Sequence, residues 1–221
     1  MSNILTIAYT TEGSTDQRFL KPIILKVFED VAFECAGTIE VFDPIFIKCP
    51  PKDSFVESII SVSIDAYESG INVLCVHVDA DSNNDDHVTE FKIEPAQKGV
   101  NQLGGQTNCK NLVPIIPIHM SEAWMLADKE LLKNEIGTYM SNSALGINRH
   151  PESIANPKKT IEEALNIAQA HLPKRRNKIT IGDLYQPIGQ KLKIEQLERL
   201  QSFKKFKSSV IESLKTLNYL N

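Results

Sequence analysis

The chain has 221 residues, 42% hydrophobic and 24% charged, with a formal net charge of −4. That is enough for one domain with a substantial core. No run of about 18 apolar residues occurs, and the start MSNILTIAYT lacks the basic n-region and long apolar core of a secretory signal, so neither a membrane span nor export is expected. Four cysteines (Cys35, Cys49, Cys75, Cys109) lack CxxC spacing, which argues against a zinc site or a disulfide framework and fits a reducing cytoplasm.

The first half alternates strand and helix. Ile4–Tyr9 reads as strand one, followed by a helix from Asp16 to about Glu34 with Phe19, Ile23, Val27 and Val31 on one face and Ser14 or Thr15 as its cap. Ile39–Ile47 reads as strand two, placed at an edge by Pro44. Ser54–Ser69 carries a helical stripe ended by Gly70, and Val73–Val78 is a buried strand three. A weaker helix from Thr89 to about Val100 is expected to break at Pro95. Strand four is Leu112–Ile118, and a helix capped by Ser121 runs from Glu122 to about Asn134. Beyond residue 138 the strand signal stops. Pro157–Ala170 is helical, and Phe203, Phe206, Val210, Leu214 and Leu217 form the stripe of a final helix. This order predicts an α/β core with a mainly parallel sheet over residues 1–137, and a helical region, 138–221, completing the same domain.

Two acidic signatures stand at predicted strand ends: Glu12-Gly13, and Asp79-Ala80-Asp81. Side chains alternate along a strand, so Asp-x-Asp is expected to point both carboxylates one way. Converging carboxylates suit a hard cation such as Mg²⁺ or Mn²⁺, and ligands of parallel sheets bind at the carboxyl ends of strands. The plainer alternative is that Glu12 sits at a helix N-terminus and Asp79–Asp86 is a turn. Glu122, opening a helix after strand four, is a third acidic candidate with the same alternative, and Trp124 is expected to pack.

Asp79–Glu90 nearly fits a calcium loop, but Asn84 stands where glycine is required, Asp86 where an aliphatic is, and a strand rather than a helix precedes it. Asp-x-Asp also occurs in nucleotide-sugar transferases, although no glycine-rich or aromatic cue for a base accompanies Glu12. The five histidines show no ligand spacing; His77 is expected to pack and His87 to be solvated. There is no P-loop, no dinucleotide fingerprint and no serine-nucleophile elbow.

Charge is uneven. Residues 1–171 hold 13 Lys/Arg and 24 Asp/Glu, a balance of −11; residues 172–221 hold 11 and 4, a balance of +7. The cluster Lys174-Arg175-Arg176 is the candidate contact for a nucleic-acid polyanion, whereas Lys204, Lys205 and Lys207 read as the wet face of the last helix.

Glu-Gly after strand one and Asp-x-Asp after strand three resemble the Toprim domain of topoisomerases, bacterial primases and nucleases of the overcoming-lysogenization-defect type. The stretches EGSTDQRFL, VHVDAD, SEAWMLAD, NPKKTIEEAL and LQSFKKF resemble, more closely, a Toprim-like family of bacterial proteins of unknown function, often encoded beside an ATPase and linked to phage defence. The resemblance implies a Mg²⁺-dependent nuclease or related phosphoryl-transfer activity on nucleic acid. It implies Glu12 as general acid/base, Asp79 and Asp81 as metal ligands, Glu122 as a further acidic member, and a separately encoded ATPase as partner. Asp85 and Asp86 enrich the loop beyond the family's Asp-x-Asp, leaving open which carboxylates hold metal. The competing expectation is a non-catalytic module that docks onto the ATPase, and oligomerisation is open.

Overall fold

The computed structural model describes residues 3–104, 107–170 and 178–220, and it is α/β: parallel strands flanked by helices, with a helical C-terminal region. The first strand path comprises β1 (Asn3–Leu5) and β2 (Ile7–Thr10), where one continuous strand was expected. The break falls at Thr6, whose N–H and hydroxyl both donate to the Asn72 side-chain oxygen, at 2.9 and 2.7 Å. The second path is likewise divided, into β3 (Ile39–Val41) and β4 (Ile45–Phe46), with Pro44 between them. β5 (Val73–His77) and β6 (Leu112–Ile115) are shorter than the runs that predicted them.

All pairings are parallel: β1 with β3, and β4-β2-β5-β6 in that order. The first path therefore lies between the second and the third, and the order reverses between β2 and β5. β4 is an edge, as Pro44 predicts. Alternate residues serve two cores: Ile7, Tyr9, Val73 and Cys75 belong to one, Ala8, Leu74 and Val76 to the other. Burial on both faces is why these strands read as unbroken apolar runs.

Helix α1 (Ser14–Ala32) lies on the first face with Phe19, Ile23, Val27 and Val31 buried; its cap is Gly13, not Ser14 or Thr15. Helix α2 (Phe55–Glu68) lies on the second face, and Ser54 caps it by accepting the Glu57 N–H at 3.2 Å. The next helix, expected to break at Pro95, is continuous: α3 (Asp86–Val88), a π turn (Thr89–Ile93) and α4 (Glu94–Gln102). Pro95 stands in the first turn of α4, where the wider turn before it accommodates a missing N–H.

The expected Glu122–Asn134 helix is instead two, α5 (Glu122–Met125) and α6 (Lys129–Ile136), because Asp128 caps a fresh start by accepting the Leu131 N–H at 2.9 Å. The C-terminal region supplies α7 (Pro157–Ala168), α8 (Tyr185–Lys191), α9 (Ile194–Leu197) and α10 (Gln201–Thr216). These helices share the first core with the sheet. Fully buried Trp124 packs against Phe203 and Phe206, with ring centroids 5.3 and 6.0 Å away, and its Nε1–H donates to Ser202 Oγ at 2.8 Å. Glu152 accepts the N–H groups of Gln201 and Ser202, both at 2.9 Å, satisfying two of the amides that a helix start leaves unpaired.

The expected wet face of α10 holds for Lys204 and Lys205, which are exposed, while Lys207 is half-buried. Lys205 reaches both carboxylate oxygens of Asp85 at 2.7 and 2.9 Å, and Lys207 lies between Asp30 and Glu198 at 2.8 and 2.5 Å. Among the described residues no helix is long and apolar enough to cross a membrane.

Candidate functional site

The carboxyl ends of β2 and β5 meet where the strand order reverses, the place at which open parallel sheets bind ligands. After β2 the chain turns at Thr11, whose hydroxyl donates to the Gly13 carbonyl at 2.9 Å, leaving Glu12 with its side chain 56% exposed. A Cβ at Gly13 would stand 2.8 Å from Asp16 Oδ2, so a larger residue would press on that carboxylate. Asp16, in the first turn of α1, is buried and accepts the Ser121 hydroxyl at 2.5 Å.

After β5 the ladder continues irregularly. The N–H groups of Val78, Ala80 and Asp81 donate to the carbonyls of Ile115, Pro117 and His119 at 2.9–3.0 Å. Asp81 has a left-handed backbone (φ +50°), as does His119 (φ +60°). The strand period therefore does not carry from Asp79 to Asp81, contrary to the expectation that their carboxylates share a direction. Asp79 is fixed by the Ser121 N–H, which donates to its Oδ1 at 3.0 Å, while Asp81 is exposed.

Glu122 opens α5, is 5% exposed, and accepts the Tyr185 hydroxyl. Asp85 is committed to Lys205, and Asp86 opens α3 with its side chain exposed. His77 is 2% exposed. Its Nε2 lies 3.2 Å from Asp79 Oδ1, off the line a hydrogen bond needs, so both ring nitrogens lack hydrogen-bond partners among the described residues.

Electrostatics tie these groups together. Burial, then the charges of Asp79 and Asp81, hold the Glu12 carboxyl above its ordinary value against the pull of Lys92 and His77; Lys92 Nζ is 3.9 Å from Glu12 Oε1. Burial, then Asp79 and Asp16, likewise raise Glu122, although Tyr185 pulls the other way. Burial by itself would lower His77, but Asp79, Asp16 and Glu12 together outweigh it and raise the imidazole above its ordinary value. At His77 the carboxylates outweigh burial, whereas at Glu12 burial decides the direction, because Lys92 and His77 each pull harder than Asp79 or Asp81 pushes.

Of the predicted residues, Glu12, Asp79 and Asp81 are within electrostatic reach of one another, and Glu122 joins from the buried side through Asp79. Lys174, Arg175 and Arg176 lie outside the described residues. Sequence reasoning missed Asp16, Lys92, Ser121 and Tyr185 as members of the site, and treated His77 as packing alone. His77 had a signal, since it precedes Asp79 by two residues and the strand period puts both on one face.

Among the described residues no three His, Cys, Asp or Glu side chains converge as a ready-made cation cage. The oxygen donors at the strand ends still fit a hydrated Mg²⁺, which keeps several waters and takes one or two protein carboxylates. They do not fit a fully protein-coordinated Ca²⁺, and with Asp85 engaged by Lys205 the calcium-loop alternative is not supported.

The family profile described as a domain of unknown function (DUF4276) matches residues 11–210. The chain belongs to that family. No curated protein and no solved structure matches it.

Proposed function

We propose that this chain is a Toprim-like, Mg²⁺-dependent nuclease, a phosphoryl-transfer protein acting on nucleic acid and serving phage defence beside a separately encoded ATPase. One observation carries the metal-dependent phosphoryl-transfer reading: carboxylates stand at the carboxyl ends of two adjacent parallel strands, at the reversal of strand order, with Glu12, Asp79 and Asp81 within electrostatic reach of one another. Asp79 and Asp81 would hold the ion, with Glu12 beside it. Bound there, Mg²⁺ would neutralise charge on the transferring phosphoryl group and orient a water.

The chain's own groups have distinct parts. Asp79 is oriented by the Ser121 N–H at Oδ1, and its second oxygen accepts no hydrogen bond among the described residues. Glu12 is half-buried and exchanges with solvent. Its raised proton affinity brings it nearer the range in which a carboxyl takes a proton from water and returns it to a leaving oxygen. Glu122, Tyr185, Ser121 and Asp16 form a buried brace behind Asp79, positioning it without meeting substrate.

The test is Glu12→Gln, assayed on plasmid, single-stranded DNA and RNA with saturating Mn²⁺. A general acid/base contributes about 10²–10⁴-fold, so cleavage should nearly vanish while the melting temperature holds. Wild-type rates in the variant would reduce Glu12 to a turn residue. If the wild type never cuts, with or without the ATPase encoded beside it, the docking module is the better account.

A further inference from the structure

Helices α1 and α8 border a cleft of about 590 Å³ whose lining includes Tyr9 of β2 and Ser14, two residues after Glu12. Gln17, Arg18 and Lys21 line it from α1, Gln186 and Gln190 from α8, and Asp43 from the β3–β4 connection. The two helices link cleft and site residue by residue. In α1, Asp16 enters the brace behind Asp79 and its neighbour Gln17 faces the cleft; in α8, Tyr185 reaches Glu122 and its neighbour Gln186 faces the cleft.

Lys21 is already paired with Asp43 at 3.3 Å, but Arg18 is exposed and makes no hydrogen bond or ion pair among the described residues. An exposed guanidinium without a hydrogen-bond or ion-pair partner among the described residues is available to an anion arriving from solution.

We propose that this cleft binds a single nucleic-acid strand flanking the bond to be cut. Arg18 would take a phosphate, and the carboxamides of Gln17, Gln186 and Gln190 would take sugar and base edges. The proposal rests on the nucleic-acid function given above and names the form of its substrate. A cavity of this volume accommodates on the order of one or two nucleotides. Carboxamides, with both donors and acceptors, suit the exposed edges of unpaired bases.

The experiment measures binding of short fluorescein-labelled single-stranded DNA, single-stranded RNA and duplex DNA in EDTA across a salt series. Proteins compared are the full-length wild type, Arg18→Gln and Arg18→Lys. Arg18 makes no hydrogen bond or ion pair among the described residues, so all three should melt alike. The expected result is tighter binding of single strands than of duplex. Arg18→Gln should lose several-fold in affinity and about 0.7 in the slope of log affinity against log salt, and Arg18→Lys should restore the slope. The DNA and RNA arms identify which strand is preferred.

Equal affinity and slope in Arg18→Gln would overturn the cleft assignment while leaving the nuclease function standing. A preference for duplex would overturn the single-strand assignment. Dependence on Arg18 without any cleavage under Mn²⁺ would uphold the cleft and overturn the nuclease. A wild type that binds none of the three probes would overturn the cleft assignment, leaving the nuclease function to the cleavage assay under Mn²⁺.

Discussion

Gly189→Ala tests whether the brace behind the site depends on how closely α8 lies on α1. A Cβ at Gly189 would meet the Phe19 carbonyl oxygen at 2.4 Å and the Phe19 carbonyl carbon and Cα at 3.2 Å. These are backbone atoms of a buried helix and cannot swing aside as a side-chain tip could. Nor can α8 drift freely, because Lys26 Nζ donates to the carbonyls of Gly189, Gln190 and Leu192 at 3.2, 2.5 and 2.9 Å. Overpacking a tight contact costs about 1–3 kcal/mol. Replacing a helix-interior glycine returns up to about 1 kcal/mol of helix propensity. A backbone obstacle puts the first figure near its upper end, so the net loss should be about 1–2 kcal/mol. At roughly 2–4 °C per kcal/mol for a chain of this size, the melting temperature should fall by about 2–8 °C. Urea unfolding should move to a lower midpoint with an unchanged slope. Displacing α8 also displaces Tyr185 from Glu122, so any activity per folded molecule should drop as well. A melting temperature equal to or above wild type would refute the close approach and, with it, the fixed placement of Tyr185.

Asp81→Asn should weaken Mg²⁺ or Mn²⁺ binding in calorimetry at least about tenfold, roughly 1.4 kcal/mol, and unchanged binding would remove Asp81 from the ion site. Glu122→Gln keeps an acceptor for the Tyr185 hydroxyl but removes a buried charge. Because the folded chain holds the Glu122 proton more tightly than the unfolded chain does, stability falls as pH rises from the ordinary 4.5 through the raised native value. In EDTA the variant should therefore melt above wild type at about pH 8 and near it at about pH 4; an offset that ignores pH would show that the carboxyl is not held up as described.

The strands and the helices with clear apolar stripes were legible because a sheet buried on both faces leaves continuous apolar runs, and Phe19–Val31 repeats at helical spacing. The interruptions were not. Thr6 ends β1 because Asn72, far along the chain, takes its hydrogen bonds, and nothing near Thr6 announces that partner. Asp128 did carry a local signal, a capping residue three before Leu131, but the apolar stripe of Glu122–Asn134 ran through it and concealed the restart.

The candidate site divides in the same way. Glu12 and Asp79 follow strands and could be found by position, whereas Asp16 meets Ser121 across 105 residues and Glu122 meets Tyr185 across 63. Such pairs exist only once α1, α5 and α8 have packed, and each residue alone reads as a cap or a core aromatic. Asp81 is the instructive case. Its motif suggested a carboxylate equivalent to Asp79, yet its left-handed backbone and its hydrogen bond to the His119 carbonyl separate the two. Asp79 is held by the Ser121 N–H against a buried brace, while Asp81 is exposed at the rim. Loss of Asp79 should therefore disturb the brace and the ion site together, whereas loss of Asp81 should act on the ion site alone. That difference makes Asp81, rather than Asp79, the position at which a binding defect can be separated from a folding defect.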